Sequence, residues 1–266
     1  MSETQQIDGV DVFIEGQGAE TIVMIHGWPD TYRLWDSTVQ ALQDRYRCVR
    51  FTLPGFDIGK PQRASSIAEL TASFKYIIEQ TCAGQKVVLM LHDWGCVFGY
   101  ALATQHPALV SKIVGVDIGD AGSRSHLREL RLADKLSIAL YQGWLAVAWR
   151  IGGSVGDRMT RWMARALRCP SDAQFIGSQM NYPYWQQWTG SGAQPGAAAF
   201  VPACPMLYVY GTKKPFMFHS AAWAAALAHR PQSGVFGIDT GHWVMSRRPA
   251  PFHQAVLDWL GATPSP

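Results

Sequence analysis

The hydrophobic positions of this chain fall into short apolar runs that are separated by stretches of helix length. Six runs are rich in β-branched or aromatic residues and are bounded by polar or turn-forming residues. Such runs are typical of strands that are buried on both faces of a sheet. They predict strands at residues 21–25, 48–53, 87–91, 113–116, 206–210 and 235–238.

The stretches between these runs carry a helical pattern. The clearest is segment 66–80, in which apolar residues recur every three or four positions. These residues are Ile67, Leu70, Phe74, Ile77 and Ile78. Strands that alternate with helices indicate βαβ units and a mostly parallel sheet with helices on both faces.

The alternation stops between about residues 121 and 201. This segment is rich in Arg and Trp and shows helical patterns at 126–149, 157–167 and 171–188, before a Gly/Ala/Pro linker at 190–202. A helical insertion between two strands of such a sheet usually covers the ligand crevice at the strands' carboxyl ends. We therefore predict a sheet core at 1–120 and 201–266, with a helical cap (lid) at 121–200.

Composition narrows the classes of protein that remain. Of 266 residues, 48% are hydrophobic and 16% are charged, which excludes a disordered chain. The net charge of +3, without a long basic run, argues against a nucleic-acid partner. We expect no membrane span and no signal peptide. Five cysteines without metal spacing predict free thiols and a cytoplasmic location.

Three short motifs follow predicted strands: HGWPD at 26–30, HDWG at 92–95 and GHW at 241–243. The second, between a strand and a helix, has the layout of a nucleophile elbow with Asp93 in place of the usual serine. A carboxylate nucleophile attacks saturated carbon and leaves an alkyl ester. Hydrolysis of that ester needs a general base, for which His242 is the candidate. Backbone N–H groups of Trp28 and Trp94 would form an oxyanion hole. Asp93 as a simple helix N-cap is the structural alternative.

In this order around a helical insertion, the motifs resemble the α/β-hydrolase fold family, in its epoxide hydrolase and haloalkane dehalogenase branch. The resemblance covers residues 12–260. It implies that Asp93 is the nucleophile, that His242 is the base, and that no metal or organic cofactor takes part. It also implies an oxyanion N–H from Trp94, whose indole N–H holds the departing halide in dehalogenases.

The resemblance also implies two cap tyrosines, which donate hydrogen bonds to the epoxide oxygen in epoxide hydrolases. Tyr141 is similar to the first. Tyr182 and Tyr184 compete for the second place, which follows an Asn in the family, because Pro183 stands where the family's tyrosine falls. We favour Tyr184 over Tyr182. Packing is the alternative role for an aromatic residue on a cap helix.

The sequence departs from the family at two points. Leu91 stands two residues before the nucleophile, where a small residue is usual, which predicts an altered turn. The loop 211–219, where the third triad member usually lies, contains no Asp or Glu, and we expect its Lys213 and Lys214 to be solvated. Our hypothesis is that Asp117, at the end of the strand after the elbow helix, orients His242. Asp120 is the alternative acid.

Three functions follow from these observations. The leading interpretation is a cofactor-free epoxide hydrolase, which the cap phenols favour. A haloalkane dehalogenase is the alternative, because cap tryptophans could hold a halide; these are Trp144, Trp149, Trp185 and Trp188. The missing acid and Leu91 motivate a catalytically silent binding protein as the third. The expected partner is a small apolar epoxide or halide, with a homodimer as one option for assembly.

Overall fold

The computed structural model describes residues 2–190 and 198–262, so residues 191–197 of the predicted linker lie outside the described residues. Its centre is an eight-stranded sheet with the order β1-β2-β4-β3-β5-β6-β7-β8. The strands are β1 Ser2–Ile7, β2 Val10–Glu15, β3 Thr21–Ile25, β4 Arg47–Phe51, β5 Val87–His92, β6 Val110–Val116, β7 Met206–Gly211 and β8 Gly234–Ile238.

The six predicted strands are confirmed as β3 to β8, and they pair in parallel. Every residue of β3, β5 and β6 is buried, which explains why their sequences read as continuous apolar runs. Two further strands that the apolar runs do not predict, β1 and β2, form an antiparallel hairpin at one edge of the sheet. The first five residues of β1 are all polar, and in β2 only Val12 and Ile14 are buried, so these strands lack the continuous apolar signal.

Helices cover both faces of the sheet. They are α1 Asp36–Leu42, α2 Ile67–Thr81, α3 Trp94–Gln105, α4 Arg124–Glu129, α5 Leu132–Ile151, α6 Gly153–Ala166, α7 Tyr182–Thr189, α8 Ala221–Ala228, α9 Val244–Arg247 and α10 Pro249–Ala262. Side chains of α2 and α3 pack on Val23 and Leu89 on one face. Side chains of α1 and α10 pack on Ile22 and Met24 on the other. Alternate strand residues thus supply two separate cores.

The segment between β6 and β7 contains α4 to α7, which we call the helical insertion. The helix predicted at 126–149 is two helices, because the Asp134 carboxylate accepts a hydrogen bond from the Arg131 backbone N–H (3.2 Å) and caps a new start at α5. The predicted helix 171–188 starts instead with two short 3₁₀ turns, Ala173–Phe175 and Ser178–Asn181, and α7 begins only at Tyr182. The division into core and cap remains a prediction. Within the described ranges, no helix is long and apolar enough to span a bilayer.

Candidate active site

Asp93 occupies a sharp turn between β5 and α3. Its backbone has φ +53° and ψ −125°, in the left-handed half of conformational space that a non-glycine residue rarely adopts. The side chain makes no capping hydrogen bond to α3, and the amide of Cys96 bonds the backbone carbonyl of Asp93 instead (2.9 Å). The geometry therefore argues against the N-cap interpretation and leaves the carboxylate free for other contacts.

Glycines make room for this turn. A Cβ on Gly27 would lie 2.4 Å from Oδ1 of Asp93, and one on Gly95 would lie 2.3 Å from the Ile25 carbonyl oxygen. A glycine also makes room for Leu91. The Leu91 side chain occupies the space where Gly99 of α3 has no side chain, since a Cβ on Gly99 would lie 2.4 Å from Leu91 Cδ2. The larger residue before the nucleophile thus fills space that a glycine on the following helix leaves open.

The two carboxylate oxygens of Asp93 have different surroundings. Oδ1 accepts a hydrogen bond from the backbone N–H of Trp28 (2.7 Å), and the backbone of Trp94 also bonds the carboxylate. Oδ2 lies 3.4 Å from Nε2 of His242. The two proposed oxyanion N–H groups and the proposed base therefore meet at one carboxylate.

His242 is bonded to Asp117. Its Nδ1 lies 2.5 Å from Oδ2 of Asp117, which is fully buried at the end of β6. Asp120 is engaged elsewhere, since it accepts hydrogen bonds from Ser123 Oγ (2.6 Å) and from the backbone N–H of Ser220 (2.6 Å). Asp93, His242 and Asp117 thus form a continuous chain of contacts, as in a nucleophile–base–acid triad.

The side chain of Lys214 is buried, in contrast to the expectation that it is solvated. It is 6% exposed and forms an ion pair with Oδ1 of Asp117, and its Nζ lies 5.1 Å from the ring centroid of Phe218. Lys213, its neighbour, is exposed and pairs with Asp239. The prediction of a solvated loop was wrong for Lys214, because the loop after β7 packs over the end of β6 and directs this side chain inward.

The charges of these groups are coupled. Burial would lower the pKa of His242, but Asp117 and Asp93 outweigh it and raise the pKa to about 9. Burial would raise the pKa of Asp93, and the hydrogen bond and charge of His242 bring it below its usual range. Burial would also raise the pKa of Asp117, but the charges of Lys214 and His242 lower it below its usual range. At neutral pH the resting site therefore holds an imidazolium between two carboxylates.

A cavity of about 310 Å³ opens between Asp93 and the helical insertion. Asp93, Trp94, Tyr141 and Tyr184 all line it, together with apolar side chains of α5. The rings of Tyr141 and Tyr184 lie edge to face with centroids 6.1 Å apart. Burial raises the pKa of both phenols, so both are protonated donors at neutral pH. A larger cleft, of about 950 Å³, lies beside the β1–β2 turn and is lined by other residues.

Tyr182, the competing candidate, does not line this cavity. Its ring packs edge to face on Phe56 (5.6 Å), and its hydroxyl is buried with no hydrogen-bond partner in the described chain. Residues two apart on a helix point to nearly opposite sides, so Tyr182 and Tyr184 cannot both face the site. The prediction that Tyr182 contacts substrate is therefore corrected in favour of Tyr184.

Most tryptophans of the three motifs and of the helical insertion do not line the cavity, and some of them form hydrogen bonds between separate segments. Trp94 and Trp188 are the tryptophans among its lining residues in the part of the chain that the structure describes. The indole N–H of Trp28 donates to Asn181 Oδ1 (2.6 Å), and that of Trp144 donates to the Met159 carbonyl oxygen (3.1 Å). Trp28 therefore reaches the site through its backbone N–H and not through its indole.

Two further buried residues of the motifs, which the sequence pattern alone does not single out, contact the loop that carries His242. Asp30 accepts hydrogen bonds from Ser171 Oγ and from the indole of Trp243 (3.0 Å), and burial raises its pKa to about 6. His92 Nε2 lies 3.3 Å from the carbonyl oxygen of His242. Both residues hold the loop that carries His242 against the other two motifs. The sequence feature that could have pointed to Asp30 is the presence of an acidic residue within the HGWPD motif.

Curated relatives match part of the chain. A probable oxidoreductase, EphD, of Mycobacterium tuberculosis is 30% identical over 140 residues, which are 48% of this chain and 24% of that protein. Epoxide hydrolase 1 of Caenorhabditis elegans is 31% identical over 105 residues, which are 38% of this chain and 26% of that protein. The chain thus covers about a quarter of the length of these relatives.

Solved structures match nearly the whole chain. The epoxide hydrolase of Bacillus megaterium, in complex with an inhibitor, has a TM-score of 0.71 at 17% identity and covers 97% of this chain and 100% of its own. A loop variant of a haloalkane dehalogenase of Bradyrhizobium elkanii has a TM-score of 0.69 at 16% identity and covers 98% of this chain and 97% of its own. Likeness at this identity shows a shared fold. The family model for the alpha/beta hydrolase fold matches residues 20–165. The chain belongs to the α/β-hydrolase fold family.

Proposed function

We propose that this chain hydrolyses small apolar epoxides to diols through an alkyl ester on Asp93. One observation carries the proposal. The Asp93 carboxylate stands in a strained elbow, with Oδ1 held by a backbone N–H at 2.7 Å and Oδ2 at 3.4 Å from His242 Nε2. A carboxylate that is held in this way can attack carbon with one oxygen while the other is stabilised.

In the first step, Oδ2 of Asp93 attacks an epoxide carbon, and the carbon–oxygen bond of the ring breaks. The ring oxygen takes a proton from Tyr141 or Tyr184, which both line the cavity. Their protonated state at neutral pH supports this donor role. The products of the step are a hydroxyalkyl ester on Asp93 and a tyrosinate.

In the second step, His242 first gives the proton of its resting imidazolium to the tyrosinate, which restores the tyrosine. The neutral imidazole then takes a proton from water, and the resulting hydroxide adds to Cγ of Asp93. The negative charge develops on Oδ1, beside the N–H groups of Trp28 and Trp94. When the intermediate collapses, the diol oxygen leaves with the proton from His242. The new carboxyl group of Asp93 then gives its proton to His242, which restores the carboxylate and the imidazolium of the resting site. Asp117 holds the imidazole in position throughout.

The same triad geometry would serve a haloalkane dehalogenase, for which the ring of Trp94 at the cavity is the supporting observation. Two phenols beside Asp93 favour the epoxide. Trp28, by contrast, bonds Asn181 with its indole and is not free to hold a halide. The silent binding protein is the least favoured, since Asp93, His242 and Asp117 are aligned.

Turnover of an epoxide series and a haloalkane series tests the proposal. We expect diol formation from small apolar epoxides by the wild-type chain and loss of activity in Asp93→Asn. Asp120→Asn is the control, because Asp120 is buried nearby but bonds Ser123 and Ser220. Halide release without diol formation from epoxides would favour the dehalogenase. Inactivity on both series would contradict an enzymatic role of this kind.

A further inference from the structure

The outward face of α5 is apolar along its whole length. Leu132 is 82% exposed and Leu140 is 66% exposed, and further large apolar side chains on the same face are also exposed. These side chains recur every three or four residues and so form one stripe. They are Leu132, Leu136, Leu140, Trp144, Val147 and Ile151. The opposite face buries Leu145 and Ala148. A helix that is apolar on both faces is normally covered on both.

The stripe continues onto α6. The ring centroid of Trp162, which is 55% exposed, lies 5.2 Å from that of Trp144. Val155 of α6 is also exposed. We call these eight residues of α5 and α6 the outer apolar stripe. Its extent across two helices exceeds the scattered single apolar residues that are ordinary on a protein surface.

Positive charge surrounds the outer apolar stripe. Residues 124–168 include nine Arg and Lys residues and three Asp and Glu residues, whereas the whole chain has 23 and 20. Most of the nine are exposed, including Arg150 between Val147 and Ile151, and Arg158 and Arg165 on α6. Two copies that met through this surface would bring like charges together, which disfavours a homodimer here. A partner with an anionic surface and an apolar interior would complement both the apolar stripe and the positive charge around it.

We propose that the outer apolar stripe docks on an anionic lipid bilayer, with the helices α5 and α6 parallel to the membrane plane. The Leu, Val and Ile side chains enter the region below the headgroups, and Trp144 and Trp162 lie at the interface, where tryptophan is favoured. The flanking arginines bind lipid phosphates while their aliphatic stems cover the apolar surface.

The stripe runs beside the cavity described above. Trp188 is exposed and lines the cavity, and its ring lies 3.8 Å from the position that a Cβ on Gly143 of α5 would occupy. A docked chain would thus receive an apolar substrate from the bilayer. This consequence rests on the proposed function, whereas the docking itself does not.

Vesicle flotation tests the docking with the full chain. We expect the wild-type chain to bind vesicles of equimolar phosphatidylcholine and phosphatidylglycerol, to bind pure phosphatidylcholine far more weakly, and to lose binding in high salt. The double variant Leu136→Gln/Leu140→Gln should bind the anionic vesicles about tenfold or more weakly, because it removes two inserted side chains. Arg158→Gln/Arg165→Gln should reduce the preference for phosphatidylglycerol.

Matched variants separate docking from folding and from catalysis. Val201→Gln/Phe236→Gln removes two exposed apolar side chains outside the stripe and should leave binding unchanged. Asp93→Asn should bind like the wild-type chain, so failure of the proposed function would not hide docking. Equal binding of the wild-type chain and Leu136→Gln/Leu140→Gln would overturn the proposal. So would a stable dimer that this double variant dissociates, because the stripe would then be covered by a second copy.

Discussion

The ammonium group of Lys214 forms a buried ion pair with one carboxylate oxygen of Asp117, while the other oxygen bonds His242. Lys214 therefore balances part of the negative charge that faces the imidazole. When Asp93 becomes an ester it loses its charge, and His242 then faces an acid that is already paired. The pKa of His242 should fall from its resting value of about 9, which frees the imidazole to act as a base.

Replacing Lys214 with Met should make His242 hold its proton more tightly. Met keeps an aliphatic side chain but leaves Asp117 unbalanced, so the pH dependence of ester hydrolysis should move upward by about one pH unit. Single-turnover release rates across pH measure this shift. Lys214→Arg should retain the wild-type midpoint, and the exposed Lys213→Met is the matched control. A midpoint in Lys214→Met equal to the wild-type value would show that Lys214 does not act on His242.

Asp117→Asn should separate the two steps of the reaction. The neutral amide cannot stabilise the imidazolium, so we expect ester hydrolysis to slow by about 10²-fold or more, while ester formation changes little. Rapid-quench measurement of the ester on Asp93 follows both rates. Asp120→Asn, which does not touch His242, should slow neither rate in this way. Turnover in Asp117→Asn at the wild-type rate would show that Asp117 has no role in the mechanism.

The tyrosines that line the cavity should matter for epoxides in particular. Tyr141→Phe and Tyr184→Phe each remove a proton donor, and we expect kcat/KM for epoxides to fall by about 10- to 100-fold. Tyr182→Phe removes a buried hydroxyl that has no partner in the described chain, so turnover should be unchanged and stability equal or higher. A loss of activity in Tyr182→Phe alone would reverse our assignment of the two residues.

The contact between Leu91 and Gly99 should appear as coupled stability. Gly99→Ala would place a methyl group 2.4 Å from Leu91 Cδ2, and we expect the free energy of unfolding to fall by about 1–3 kcal/mol. In the Leu91→Ala background, which lacks the clashing methyl groups, Gly99→Ala should cost little, although Leu91→Ala by itself destabilises the chain by leaving a cavity. Denaturant unfolding of the four chains gives the coupling energy. Additive effects of the two substitutions would contradict this packing.

The charge on His242 should contribute to stability in a defined pH range. Its folded-state pKa of about 9 lies above the unfolded value of about 6.5. The stabilisation is therefore complete below about pH 6.5 and is lost as the pH rises through about 9. His242→Gln should then differ most from the wild-type chain at acidic to neutral pH and least above pH 9, by thermal unfolding. A difference that does not vary with pH would contradict the raised pKa.

The sequence identified the elements whose signals are local. Continuous apolar runs predicted the parallel strands, and the HDWG turn located Asp93. β1 and β2 gave no such signal, because only alternate residues such as Val12 and Ile14 are buried. The Lys214–Asp117 ion pair joins residues that are 97 positions apart, so no local pattern indicates it. A lysine in a loop that contains Gly and Pro is therefore predicted to be solvated. The space for Leu91 also depends on Gly99, a contact that only the packed helix creates.

The most direct test of the account is to trap the ester on Asp93. His242→Gln removes the base but keeps the nucleophile, so incubation with an epoxide substrate should leave a stable adduct. Peptide mass spectrometry should then find the mass of the intact epoxide added to the peptide that contains Asp93, and no adduct in Asp93→Asn/His242→Gln. Absence of an adduct in His242→Gln, for an epoxide that the wild-type chain converts to a diol, would contradict nucleophilic attack by Asp93.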